Sequence, residues 1–217
     1  MAHDDVTVSG GILGGTGVIS GAAVTVNSGG GFAPGPAAAG LGTLTVSNNL
    51  TLAAGSTTFM RVQHSPLTNS AAIIAVTLTE GGTLVVSNLS VAAFTAGDNF
   101  KLFSAAGYDS AFGGFSLPSL NAGLAWNTTR LNVDGTIWVV STGSPNISST
   151  KLSANSLVFS GMGGTPKWYY YVMASTNLAP AQWRRVATNQ FDIGGNFAVT
   201  NAINPGVPQT FYRLQLQ

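Results

Sequence analysis

The chain has 217 residues, 7% of them charged and 45% hydrophobic, with a formal net charge of +1. Ordinary soluble proteins carry roughly 25% charged residues, yet the apolar content here excludes a disordered chain, which combines low apolarity with high charge. Cysteine is absent, which excludes a disulfide framework or a cysteine-held metal, and no apolar run reaches the 18 residues that mark a spanning helix.

The first residues, Met1-Ala2-His3-Asp4-Asp5, lack the basic and apolar regions of a signal peptide, so a leader is expected to be absent from this chain. Strand signals then fall at 6–8, 24–26, 43–46, 50–52, 57–62, 73–78, 83–86, 100–103, 131–133 and 136–140. The best helix candidate, Ala37-Ala38-Ala39, sits between Pro34-Gly35-Pro36 and Gly40 and is too short to hold a helix. Three stretches repeat one theme of Gly-rich turn, Thr/Val/Leu run and turn, at 11–17, 42–52 and 82–89. Such repeats predict stacked coils. The expected fold is all-β, a right-handed parallel β-helix followed by a small antiparallel β-sandwich. At roughly 20–25 residues per coil, residues 1–143 would form about six coils. An antiparallel sandwich is the rival, disfavoured because Asp134-Gly135 is the one clear hairpin-type turn.

Gly42-Thr43-Leu44-Thr45-Val46, Asn49-Leu50-Thr51-Leu52, Gly81-Gly82-Thr83-Leu84-Val85-Val86, Gly97-Asp98-Asn99-Phe100-Lys101-Leu102-Phe103 and Gly135-Thr136-Ile137-Trp138-Val139-Val140 carry a resemblance. Together with Leu124-Ala125-Trp126-Asn127-Thr128, they resemble the passenger of bacterial autotransporter-associated β-strand repeat proteins over residues 10–141. The resemblance implies a secreted or cell-surface bacterial β-helix serving adhesion or display.

Residues 141–149, rich in Ser, Gly, Pro and Asn, read as a linker. Strand signals resume at 155–159, 168–173, 183–187, 196–200 and 211–214 and predict a β-sandwich over 144–217. Ala174-Ser175-Thr176-Asn177-Leu178 followed by Trp183 and Phe211-Tyr212-Arg213-Leu214 resembles a C-terminal module of secreted proteins from Verrucomicrobia-type bacteria. Charge divides along the same line. Three basic side chains face six acidic ones in 1–143, and five basic face one acidic in 144–217.

Reactive motifs are sparse. Gly15-Thr16-Gly17-Val18-Ile19-Ser20-Gly21 places its third Gly one residue late for a dinucleotide loop. Ser148-Ser149-Thr150-Lys151 matches Ser-x-x-Lys without a helix to carry it. The two histidines, His3 and His64, read as a loose terminus and a solvated turn. Four Asn-x-Ser/Thr sequons, at Asn49, Asn88, Asn127 and Asn146, read as corner and strand residues. No metal and no cofactor are expected.

Carboxylates are the parts available for an enzyme. Glycosidases need two carboxyl groups about 5.5 Å or roughly 6.5–9.5 Å apart, and adjacent coils about 4.8 Å apart make such spacings reachable. Glu80 and Asp98, 18 residues apart, and Asp109 and Asp134, 25 apart, are the candidates for a glycoside hydrolase or polysaccharide lyase. Against this, Glu80 and Asp98 both adjoin Gly in turns, where carboxylates cap backbone amides.

The better binding candidate is aromatic. Ten of the twenty aromatic residues fall in 144–217. Trp168, Tyr169 and Tyr171 lie on one strand that presents rings on both faces, one toward a core and one free to stack on sugars or to seal the end of the coil stack. Trp183, Arg184 and Arg185 stand ready to add contacts to anionic glycans. The expected partner is a polysaccharide or cell-surface glycan, with no nucleic acid and no membrane span. Self-association through the exposed N-terminal coil is the other expected contact.

Overall fold

The computed structural model describes residues 4–36 and 40–217. His3 and the Ala37-Ala38-Ala39 run lie outside the described residues. The described residues are all-β apart from one helical turn, and the chain forms two compact units, residues 1–139 and 140–217.

In the first unit, short strands alternate inward Val and Leu with outward Thr. Val24–Val26 buries both valines and leaves Thr25 half-exposed; Leu50–Leu52 does the same around Thr51. These strands pair in parallel. One ladder runs through Val6–Val8, Val24–Val26, Leu50–Leu52 and the second half of Ala71–Glu80. Its continuation runs through Gly17–Ile19, Thr43–Val46, the first half of Ala71–Glu80 and Phe103–Ser110. A second sheet stacks Gly11–Gly15, Gly30–Pro34, Thr57–Gln63, Thr83–Asn88 and Gly114–Ser116. Parallel pairing settles against the antiparallel rival for these two sheets, whereas Asn99–Lys101 pairs antiparallel with Thr136–Ser141 in a third sheet that also holds Leu124–Asn127, and none of the sheets closes on itself. Thr57 lies 26 residues after its partner Gly31 and 26 before its partner Thr83. The step varies along the unit, from 18 between Val6 and Val24 to 31 between Thr83 and Gly114, because the turns between strands differ in length.

The register stacks like on like inside the unit. Val24 lies beside Leu50, which lies beside Leu78, and all three are buried. Each such side chain contributes about 1.5–3 kcal/mol by leaving water. Met60, Val62, Leu84 and Val86 extend the same core from the second sheet.

Three segments differ from expectation. Leu131–Asp134 is a helical turn, not a strand; Gly135, at φ 75°, ends it by donating its N–H to Leu131 O. Gly30–Pro34 is a wholly buried strand that no strand signal marked. A Cβ at Gly30 would lie 2.5 Å from Val8 O, so the close approach of neighbouring backbones selects glycine there. Asn146–Ser153, which begins inside the stretch read as a linker and runs past its end, is an exposed strand.

The second unit is antiparallel. Asn146–Ser153 and Phe197–Ala202 flank Ser156–Met162 in one three-stranded sheet. Arg184–Gln190 and Phe211–Leu216 flank Tyr169–Ser175 in the other. Their inner faces meet through aromatic contacts. Phe159 lies 5.7 Å from Tyr212 and Tyr170 lies 5.7 Å from Phe197, measured between ring centroids. No helix among the described residues is long and apolar enough to cross a membrane.

Candidate binding face

The four carboxylates have different partners, although Glu80 and Asp134 both lie near enough to Tyr108 for their charges to raise its pKa, after the larger effect of burial. Glu80 points into the first unit, 2% exposed, at the next inward position after Leu78. Its Oε1 has no hydrogen-bond partner, and burial raises its pKa to about 7. Asp109 lies on Phe103–Ser110 opposite Thr79 and is exposed, so it does not share Glu80's interior side. Asp134 accepts hydrogen bonds from Arg130 and Thr136. Burial alone would raise it, but those bonds and the Arg130 charge outweigh burial and hold it below the ordinary range. Asp98 accepts the backbone N–H of Thr95 at 2.8 Å and faces His64 Nδ1 at 2.8 Å. His64 is therefore half-buried against a carboxylate and the ring of Phe94, where a solvated turn was expected. The contact joins residues 34 apart, which no local pattern could reveal. Among the described residues, no three His, Cys, Asp or Glu side chains group to hold a metal.

The aromatic candidates have a more coherent arrangement. Along Tyr169–Ser175 the side chains alternate. Tyr170, Val172 and Ala174 are buried, while Tyr169, Tyr171 and Met173 form the outer face. Register across the sheet places Arg185 on one side of Met173 and Arg213 on the other. The Arg185 guanidinium lies 4.7 Å from the Tyr171 ring centre, and that of Arg213 lies 4.6 Å from the Trp183 ring centre. Each ring's negative face holds the cation and fixes a floppy side chain. Neither arginine has a carboxylate partner among the described residues. Their N–H groups remain available at the ring edges, in a planar fork that suits carboxylate or sulfate oxygens.

The structure thus separates the six aromatic and basic candidates. Tyr169, Tyr171, Trp183 and Arg185 share the outer face or its margin. Tyr169 is 46% exposed, whereas Tyr171 and Trp183 lie half-buried under guanidinium groups. Trp168 is 8% exposed and its Nε1–H donates to Gln217 O at 3.2 Å, so it serves the core. Arg184 pairs with Ala174, which belongs to the inner side. Arg213 is the member the site residues read from sequence omitted. Alternation along Phe211–Leu216 marks it as outward, but its position beside Met173 depends on which strands become neighbours.

The surrounding charge reinforces this face. Asp192 is the one acidic side chain in the unit, and it is engaged by the backbone and side chain of Asn196 and by the Gly194 N–H, which hold its pKa low. It does not neutralise the arginines. No protein-family model, curated protein or solved structure matches the chain.

Proposed function

We propose that the chain is a non-enzymatic adhesion or display module of a bacterial surface, which binds acidic polysaccharide through the outer face of its second unit. Within this reading the first unit is a right-handed β-solenoid stalk and the second a β-sandwich. The parallel ladders, in which each strand pairs with one 18–31 residues later in the chain, support the solenoid, and parallel crossovers are right-handed in about 98% of cases. The resemblance of residues 10–141 to autotransporter passengers supports the surface setting.

The observation that carries the binding role is the pair of ring-stacked arginines, Arg185 and Arg213, with no anionic partner. Aromatic stacking orders the guanidinium groups before any ligand arrives, which lowers the entropy lost on binding. Tyr169, two positions along the strand from Tyr171 on the same face, adds an exposed ring for a sugar face. The carboxylates weigh against the catalytic reading. Glu80 is out of a substrate's reach, and Asp98 and Asp134 already serve local partners.

Affinity electrophoresis tests the reading with polygalacturonate as the acidic polymer and a neutral glucan as control. Polygalacturonate should retard the native chain, and the Arg185→Ala/Arg213→Ala double variant should lose at least tenfold in affinity. Equal retardation of native and doubly substituted chains would overturn it.

A further inference from the structure

A cleft of about 560 Å³ opens between the two sheets of the second unit, at the end away from the Tyr170, Phe191 and Phe197 cluster. The paired sheets close on each other through Phe159 and Tyr212. Beyond that contact, Leu157 and Asn201 on one sheet and Ala174 and Arg184 on the other line the opening. A volume of this size falls within the roughly 300–1,000 Å³ typical of small-molecule sites.

The chemistry of the lining is asymmetric. Leu152, Leu157, Val186, Ile203, Val207 and Tyr212 supply apolar wall. Two polar liners are already committed to the protein. Ser175 Oγ donates to Asn177 O and accepts the Gln182 N–H, and Gln209 donates to Thr176 O. Arg184 and Asn201 are not. Among the described residues, Arg184 forms no ion pair, and no Asp or Glu lines the cleft to neutralise it. Asn201 Nδ2 is buried with no hydrogen-bond partner. Leaving such a donor unsatisfied is costly, and a ligand acceptor, met by rotation of the Asn201 amide toward the cleft, would recover that cost.

We propose that this cleft binds a small organic carboxylate with an apolar body. The Arg184 guanidinium and the Asn201 amide are planar donors that suit the two oxygens of a carboxylate, while the apolar wall takes the hydrocarbon or ring. The site is separate from the polysaccharide face. Arg184 projects on the inner side of its sheet and Arg185 on the outer, so the two readings fail independently.

The test is an NMR titration of the ¹⁵N-labelled full chain with 3-phenylpropanoate, and in parallel with 3-phenylpropan-1-ol, which keeps the body and lacks the charge. Saturable shifts should map to the cleft residues, with the alcohol binding at least tenfold more weakly. Arg184→Gln should weaken the carboxylate tenfold or more and reduce polygalacturonate retention no more than the charge-matched Lys151→Gln does. Val207→Trp, which fills the cleft, should abolish binding of both probes. Equal affinity for acid and alcohol, undiminished carboxylate binding by Arg184→Gln, or an absence of saturable cleft shifts would each overturn the proposal.

Discussion

Glu80 shows how one residue sets the chain's response to pH. It occupies a place in an apolar ladder, and burial raises its pKa from 4.5 to about 7. The folded state therefore binds a proton more tightly than the unfolded state does. The stabilisation is fully present below pH 4.5 and is lost as pH rises through about 7. At about 1.4 kcal/mol per pKa unit, the loss is on the order of 3 kcal/mol. Asp134 acts in the opposite sense and in a lower window, since its lowered pKa stabilises above the ordinary 3.8 and fails only in acid. Urea unfolding at pH 5 and pH 8 should show the native chain less stable at pH 8, with Glu80→Gln removing most of that difference. An unchanged difference in the variant would assign it to other groups. Thr58 illustrates a related cost without charge. Fully buried between Phe32 and Leu84, it has a hydroxyl with no hydrogen-bond partner. Thr58→Val should raise stability by about 1 kcal/mol in the same assay, because it replaces an unsatisfied hydroxyl with a methyl group.

Legibility differed among elements for physical reasons. Thr57–Gln63 and Thr83–Asn88 were readable because one face is core and the other solvent, so polarity alternates with period two. Gly30–Pro34 was not readable because both of its faces are covered and its composition is dictated by close backbone approach. The first half of Asn146–Ser153 reads as linker because every residue of this edge strand is exposed, and Ser and Thr serve strand and loop equally. The candidate site was half legible. Clustering of rings and cations identified the Tyr169–Ser175 region, but sorting Arg184 from Arg185 and adding Arg213 required the register between strands. Corners are the most restrictive element. Gly82 has φ 63°, and a Cβ there would lie 2.2 Å from Ser56 O on the neighbouring strand's approach. Gly82→Ala should destabilise the chain by about 1–3 kcal/mol or more. A thermal midpoint within experimental error of the native value would contradict the close packing at this corner.

For the whole molecule, low charge and a neutral polar surface leave few strong electrostatic features, so those present stand out. Five basic side chains against one acid lie in residues 140–217, and the acid is tied into its own turn. Long-range attraction toward a polyanion follows from that imbalance, and salt should weaken it because the screening length falls from about 30 Å at 0.01 M to about 8 Å at 0.15 M. Rings stacked under Arg185 and Arg213 convert this general attraction into a located one. The most direct test is calorimetric titration of polygalacturonate into the full chain at those two ionic strengths, with the native protein and the Arg185→Ala/Arg213→Ala variant. The account predicts binding that weakens severalfold at the higher salt and a variant at least tenfold weaker at the lower. Binding indifferent to salt, or equally strong in the variant, would contradict it.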